Sequence, residues 1–401
     1  MGMKACRLVC FLWLAGVAGA AGALKGSAFY VAHWNVENLF DTQDDPRNRG
    51  DDEFLPNNPT TRWTRVRYEA KLDNLAEVIS GMNRKRGPDI LGMCEVENKQ
   101  VVRDLVARLP GRSYGIVHEE SRDGRGIDTA LIFDQKLFSL AGSRTYSVNL
   151  RWRRRTRDIL HATLVDAAGR KLHVLVNHWP SRSGGIDETE GDRVVAARML
   201  LRAVGWIFRD DSSARIVVLG DFNDDPTNRS VRDVLGAEVY PSPSGRYVDK
   251  RLYNLSLLPF KGGDGSFFHA FGGKVNWRMY DQIIVSGTLL QRSGGESDVA
   301  EFHVVRPACM TVARGWNKGA PLPTFEDQEF YKGGYSDHFP VAAKIFVSDA
   351  KPALVPALPR VKPKVKVEPV PPPPAPRVKP RVKVESVPRP KVPESEEPVV
   401  W

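Results

Sequence analysis

Several short stretches of this chain carry side chains that can hold a metal ion, grip a phosphate or move a proton. Asp221 and Asn223 stand two positions apart in VVLGDFNDDP, at the end of an apolar run, and Asp337 and His338 are adjacent in YSDHFPV, just before the last one. Glu95 in LGMCEVEN and His178 in VNHWPSR complete a set of carboxylates, amide and imidazoles. Paired polar side chains projecting from a strand end work from a rigid base while the adjoining loop admits substrate. Glu95 and Asp337 offer anionic oxygens to a hard divalent cation, with Asn35 near it through its amide oxygen or a water. Asp221 can accept a proton from an attacking water, and Asn223 can hold that water or a non-bridging phosphate oxygen. His178 and His338 can donate to a phosphoryl group or protonate a leaving oxygen. Asp281 or Asp128 can fix an imidazole tautomer and stabilise its positive form. On spacing alone the same residues also fit an α/β binding domain with polar loops, because a single strand-end carboxylate is often only a cap or a turn-former.

The elements that must position these groups are legible as hydrophobic patterns. Short apolar runs predict strands at Ala28–His33, Ile90–Cys94, Thr129–Phe133, Lys171–Val176, Arg215–Leu219, Gln282–Val285 and Val341–Phe346. Helices are predicted at Val66–Met82, Gln100–Leu109 and Thr189–Phe208. The first has an apolar stripe of Val66, Leu72, Leu75, Ala76 and Ile79, and the last one of Val194, Ala197, Leu201, Val204 and Ile207. Mixed strands and helices predict an α/β protein with covered sheets. The polar candidates fall at strand ends, with Asp128 opening one run and Asp281 preceding another.

The two ends of the 401-residue chain differ from its middle. Lys4, Arg7, an apolar stretch from Leu8 to about Ala20 and then Ala21-Gly22-Ala23 predict an export signal over residues 1–23. The stretch is short for a membrane span, and an uncleaved anchor is the alternative. The expected location is therefore periplasmic, envelope-associated or secreted. Residues 351–401 hold 15 of the 29 prolines and eleven Lys/Arg against five Glu. Such a tail favours extended conformations, buries little and can meet an anionic surface, or simply solubilise the chain. With the tail and the signal region set aside, a surplus of only two positive charges remains for the expected globular domain, residues 24–350. The high overall charge thus does not mark that domain as a nucleic-acid binder. The mature part keeps Cys94 and Cys309, too few for a disulfide scaffold, and Cys94 reads as a buried free thiol. No zinc-cluster spacing is present, so metal ligation is expected from oxygen.

In this order, AHWNVENLFD (32–41), PDILGMCEVEN (88–98), GRGIDTALIFD (124–134), LVNHWPSRSGG (175–185), VVLGDFNDDP (217–226), YDQIIVS (280–286) and YSDHFPV (335–341) resemble the endonuclease/exonuclease/phosphatase superfamily, and its deoxyribonuclease-like branch in particular. The resemblance implies a four-layered α/β sandwich, two mixed β-sheets packed face to face with outer helices, and a site at one sheet edge. It also implies a divalent-metal-dependent hydrolase using Mg²⁺, with Mn²⁺ or Ca²⁺ as alternatives, working as a monomer. Position by position, Asn35 and Glu95 match the metal pair and Asp128 the acid assisting the first histidine, His178. Asp221 and Asn223 match the DxN pair, Asp281 the acid orienting the last histidine, and Asp337 and His338 the terminal SDH.

The substrate is less legible. RWRRRTR contributes Arg151, Arg153, Arg154, Arg155 and Arg157, with Trp152 available to stack, between strand-like stretches 143–150 and 158–165. An arginine hairpin can follow phosphates, and Arg182 after HWPS can meet one. The leading expectation is an exported nuclease cutting DNA, and RNA as an alternative, with little sequence preference. A sphingomyelinase-type phospholipase C would need an apolar membrane edge, for which Phe267, Phe268 and Trp277 are the nearest candidates. Another phosphoesterase of the same superfamily is an alternative beside it, and a catalytically inactive surface binding protein a further one. His33, His161, His173, His269 and His303 read as structural or solvent-facing. Asn38 and Asp41 read as turn groups or as supports behind the site, and the loop 44–61 as a solvated rim, with an extra cation on Asp51 and Glu53 as the alternative.

Overall fold

The fold is described from a computed structural model, which covers residues 27–46, 48–151, 154–271, 274–290, 300–326 and 330–347. The expected signal 1–23, the tail 351–401 and the candidates Trp152 and Arg153 lie outside these residues.

In chain order the strands are β1 (Ser27–Leu39), β2 (Ile90–Val96), β3 (Tyr114–His118), β4 (Asp128–Asp134), β5 (Phe138–Tyr146), β6 (Ile159–Asp166), β7 (Lys171–His178), β8 (Arg215–Asp221) and β9 (Glu238–Val239). They continue as β10 (Leu252–Asn254), β11 (Phe267–Phe271), β12 (Lys274–Arg278), β13 (Asp281–Ser286), β14 (Ala300–Val304), β15 (Phe325–Glu326), β16 (Phe330–Tyr331) and β17 (Val341–Val347). One sheet has the order β14-β17-β1-β2-β4-β3 and the other β5-β6-β7-β8-β13-β10-β9. Both are mixed: β1 is parallel to β2 and β7 to β8, whereas β17, β4 and β13 join antiparallel.

Apolar residues of both sheets meet in one buried cluster that includes Val31, Leu131, Val174 and Ile283. Gly92 marks a close approach, since a Cβ there would lie 3.0 Å from Leu219 Cδ1 and 3.2 Å from Val176 Cγ1. Helix α1 (Arg65–Lys85) adds Leu72, Leu75 and Ile79 to this core, and α2 (Lys99–Val106) starts on Asn98, whose side chain caps the backbone N–H groups of Gln100 and Val101. Helix α3 (Ile186–Asp210) covers the other sheet through Ala197, Leu200, Val204 and Ile207, against Leu175, Ile216 and Val218. The result is the four-layered α/β sandwich expected.

Two members of the predicted helical stripes point outward. Val66 is 78% and Leu201 43% exposed, while Leu200 is fully buried. Several apolar faces on one helix let a one-residue shift in the buried arc pass unnoticed in the sequence. Expected helix ends moved by one to three residues, and α1 ends in a non-helical Met82–Arg84 segment.

Candidate active site

Strand register does much of the assembly. His178, the last residue of β7, pairs with Asp221, the last of β8, and Asp221 pairs with Asp281, the first of β13. Three polar residues thus form a row across adjacent strand ends. From the other sheet, Asn35 on β1 lies opposite Cys94 on β2, after which both strands lose register. Glu95 is the extra residue of the β2–β4 irregularity and has φ 63°. A bulge re-aims a side chain, and here it turns Glu95 toward the row. Glu95 Oε1 accepts from Asn35 Nδ2 at 3.2 Å and Oε2 from Asn38 N–H at 3.1 Å. Asn35 Nδ2 also donates to Asp221 Oδ2 at 3.0 Å, so one amide bridges the two sheets.

His338 precedes β17 and reaches the row from the first sheet. Its Nδ1 is 2.6 Å from Asp281 Oδ2 and its Nε2 4.0 Å from Asp221 Oδ2. His178 Nε2 stands 3.8 Å from both Asp221 Oδ2 and Glu95 Oε1. Asp221 Oδ1 accepts the Asn223 N–H at 2.8 Å, and Asn223 donates from Nδ2 to the Trp179 carbonyl at 3.0 Å.

The electrostatics separate the two imidazoles. Burial opposes charge on His338, but Asp281, Asp337 and Asp221 outweigh it and raise its pKa well above the ordinary value. Burial also opposes ionisation of Asp281, yet His338 and His33 hold that carboxyl well below the usual range. An ionised Asp281 can only accept, so Nδ1–H of His338 donates to it and Nε2 faces the centre. His178 goes the opposite way: burial, then the Arg157 and Arg125 charges, lower it well below the ordinary value and keep it neutral. Asp221 is raised to about 6 by burial, with His338 opposing and Asp281 reinforcing.

The family resemblance implies a divalent cation, and the oxygen donors fit one. The half-buried Asp337 is raised chiefly by burial, which His338 opposes and the neighbouring charge of Glu95 reinforces. Carboxylates whose charges oppose one another in this way suit a hard cation. Asn35 turns its NH₂ toward the carboxylates while its Oδ1 accepts from Glu37 N–H at 3.0 Å, so it orients Glu95 here. Cys94 lies with His178 and Asp221, their ligand atoms within 4.8 Å. Burial, then Asp221 and Glu95, push its thiol pKa well above the ordinary value.

Other expected residues are placed differently. Asp128 does not meet His178: its Oδ2 is 3.5 Å from His118 Nε2, its Oδ1 accepts from Ser121 N–H, and His178 Nδ1 has no hydrogen-bond partner. β4 pairs with β3, and the last residue of β3, His118, faces the Asp128 carboxylate. Arg182 is committed to the Asn223 carbonyl at 2.7 Å and to Asp224 and Asn228, so it braces the Asn223 loop. Within the basic run, β5 and β6 do form a hairpin. Arg157, however, is buried on the Trp179 carbonyl and Asp123, while Arg151, Arg154 and Arg155 are exposed, Arg154 in a pair with Asp192. Asp51 of the expected solvated rim is buried and groups with Asp44 and Asp52.

Some site residues were missed in the sequence. His33 is fully buried with Nε2 3.3 Å from Asp281 Oδ1, a second imidazole behind the His338 pair. Lys71 is buried on Thr324 Oγ1 and on the Tyr335 carbonyl at 2.6 Å, and Glu37 accepts from Thr324 N–H at 2.6 Å and Phe325 N–H at 3.0 Å. Both titrate near 8, moved there chiefly by burial. A lone lysine in a helical stripe carries no spacing signal that predicts such burial.

A comparison with curated proteins gave no match. Solved structures with a similar fold include truncated TDP2 from Caenorhabditis elegans, at 15% identity and TM-score 0.47 over 80% of this chain and 98% of that one. They also include an endonuclease/exonuclease/phosphatase family protein from Bacteroides thetaiotaomicron, at 16% and 0.47 over 82% and 100%. The human Nocturnin catalytic domain with bound sulfate matches at 18% and 0.44 over 80% and 94%. The profile of the endonuclease/exonuclease/phosphatase family matches residues 30–347, a span that includes every strand end contributing to the row, and the chain belongs to that family.

Proposed function

We propose that the protein is a divalent-metal-dependent phosphodiesterase, and that the phosphodiester it cuts belongs to nucleic acid. The observation that carries the reading is the Asp221 carboxylate flanked by a neutral His178 and a positive His338, with Glu95 at its edge. When bound at Glu95 and Asp337, a divalent cation supplies Lewis-acid stabilisation of phosphoryl charge. Asp221 takes the proton of the attacking water, and Asn223 orients that water. His338, held by Asp281, donates from Nε2 to a phosphoryl oxygen as negative charge develops there. His178 contributes the second imidazole on the opposite side of Asp221. Nucleic acid as substrate is supported by the exposed Arg151 and Arg155.

A lipid headgroup phosphodiester is the second reading. It is favoured by Trp316, which is 76% exposed and stands 6.4 Å ring to ring from Phe268, beside the Trp277 ring. The full-length chain assayed on plasmid DNA, RNA and sphingomyelin vesicles, with Mg²⁺ and with EDTA, separates them. Nucleic-acid cleavage abolished by EDTA and reduced about 10²–10⁴-fold by His338→Ala is expected. Cleavage of lipid alone would replace the leading reading, and full activity in His338→Ala would remove the site assignment.

A further inference from the structure

Away from the row, three side chains converge that the proposed hydrolysis does not use. We infer that His118, Asp128 and Glu120 bind a second divalent cation, of the zinc class. Their ligand atoms lie within 4.8 Å of one another. His118 ends β3 and Asp128 opens the antiparallel β4, so the sheet fixes both backbones.

The His118 side chain is 2% exposed, and its Nε2 has no hydrogen-bond partner although it faces Asp128 Oδ2 at 3.5 Å. That spacing is long for an N–H···O bond, which prefers about 2.7–3.2 Å. It is close to the roughly 3.3 Å that separates two ligands each about 2.0 Å from a tetrahedral zinc centre. Asp128 Oδ1 is already held by the Ser121 N–H at 2.9 Å, which turns Oδ2 toward the imidazole. Glu120 Oε1 lies 4.0 Å from the other ring nitrogen, Nδ1, and its 70% exposed side chain, which also interacts with Asp128, joins the Nε2 side by rotating.

Glu120 and Asp128 line a cavity of about 770 Å³ walled by seven carboxylates against three arginines, Arg49, Arg122 and Arg155, so the route to the site is acidic on balance. An imidazole beside carboxylates suits zinc better than magnesium, whose preference is for oxygen alone. Cation binding here would tie the 118–128 connection to the strand ends. It would also give Asp128 a task separate from the one the resemblance implied.

The test is equilibrium dialysis of the full-length chain against Zn²⁺ after chelation, with elemental analysis and thermal melts. Glu95→Gln removes a ligand of the proposed catalytic cation and should keep one zinc equivalent and its rise in Tm. His118→Gln and Glu120→Gln should each weaken that equivalent by about ten-fold or more. The exposed Glu120 side chain makes Glu120→Gln informative even where His118→Gln fails to fold. Zinc binding unchanged in Glu120→Gln, or lost in Glu95→Gln, overturns the inference. Either result leaves the hydrolytic reading to its own assay.

Discussion

At the scale of single residues, this molecule assigns opposite charge states to side chains of the same type. His338 and His178 are both buried, but the charges of three carboxylates outweigh burial at His338, whereas two guanidinium charges add to it at His178. Far from the site, His161 shows burial without compensation. Its Nε2 is 3.0 Å from His173 Nδ1, and burial, then His173 and Arg144, push its pKa down to about 3. The unfolded chain binds a proton at this residue below about 6.5, while the folded chain stays neutral until about pH 3. Stability should therefore fall as pH drops through this window, by up to about 1.4 kcal/mol per pH unit from this group. Denaturant midpoints at pH 7 and pH 5 should show a smaller pH slope for His161→Gln than for the parent, and equal slopes would refute the assignment. Lys71 and Glu37 are two further buried groups, both in contact with Thr324 and each pushed toward its neutral form by burial. Lys71→Met should cost about 1–3 kcal/mol in urea unfolding, because it removes the buried donor to Thr324 Oγ1 and to the Tyr335 carbonyl, and an unchanged midpoint would refute that role.

At the scale of elements, the strand ends and their irregularities do the positioning. The β7–β8–β13 register puts His178, Asp221 and Asp281 in one row, and the bulge at Glu95 turns its carboxylate inward from the other sheet. These motifs were readable because a strand end is marked by where an apolar run stops. Partner choice was not readable. Asp128 stands at a strand end like the others, but sheet order hands it to His118. Helix α3 offers a direct check on which face is buried. Leu200→Ala should destabilise by about 2–5 kcal/mol. Leu201→Ala, on the exposed arc, should stay within about 0.5 kcal/mol by the same unfolding measurement. Equal costs would mean that the sequence stripe, with Leu201 inward, describes the helix better.

For the whole molecule, charge is distributed unevenly along the chain. The tail 351–401 carries a surplus of six positive charges, and residues 24–350 only two. If the tail acts by attraction to anionic surfaces, each Lys or Arg near such a surface adds about 1 kcal/mol. Deleting 351–401 should then leave kcat within about two-fold and lower retention on anionic vesicles at low salt, read by sedimentation. A large loss of kcat would show that the tail takes part in the chemistry. Within the domain, the arginine run that suggested polyanion binding is partly spent on structure, through Arg154 and Arg157. The acidic cavity beside Asp128 adds a cation-attracting face that overall composition had concealed.

The sequence by itself determined the layers, the strand ends and the residue types able to serve a phosphoester centre, because hydrophobic period and motif order are local properties. Only the tertiary structure decided who meets whom. Asp281 sits between two imidazoles, His178 is kept neutral by burial with Arg157 reinforcing it, Arg182 braces a loop, and His118 faces Asp128. Those outcomes depend on sheet order and burial, which bring together residues tens to hundreds of positions apart, and on desolvation that the chain acquires only once both sheets have closed on each other.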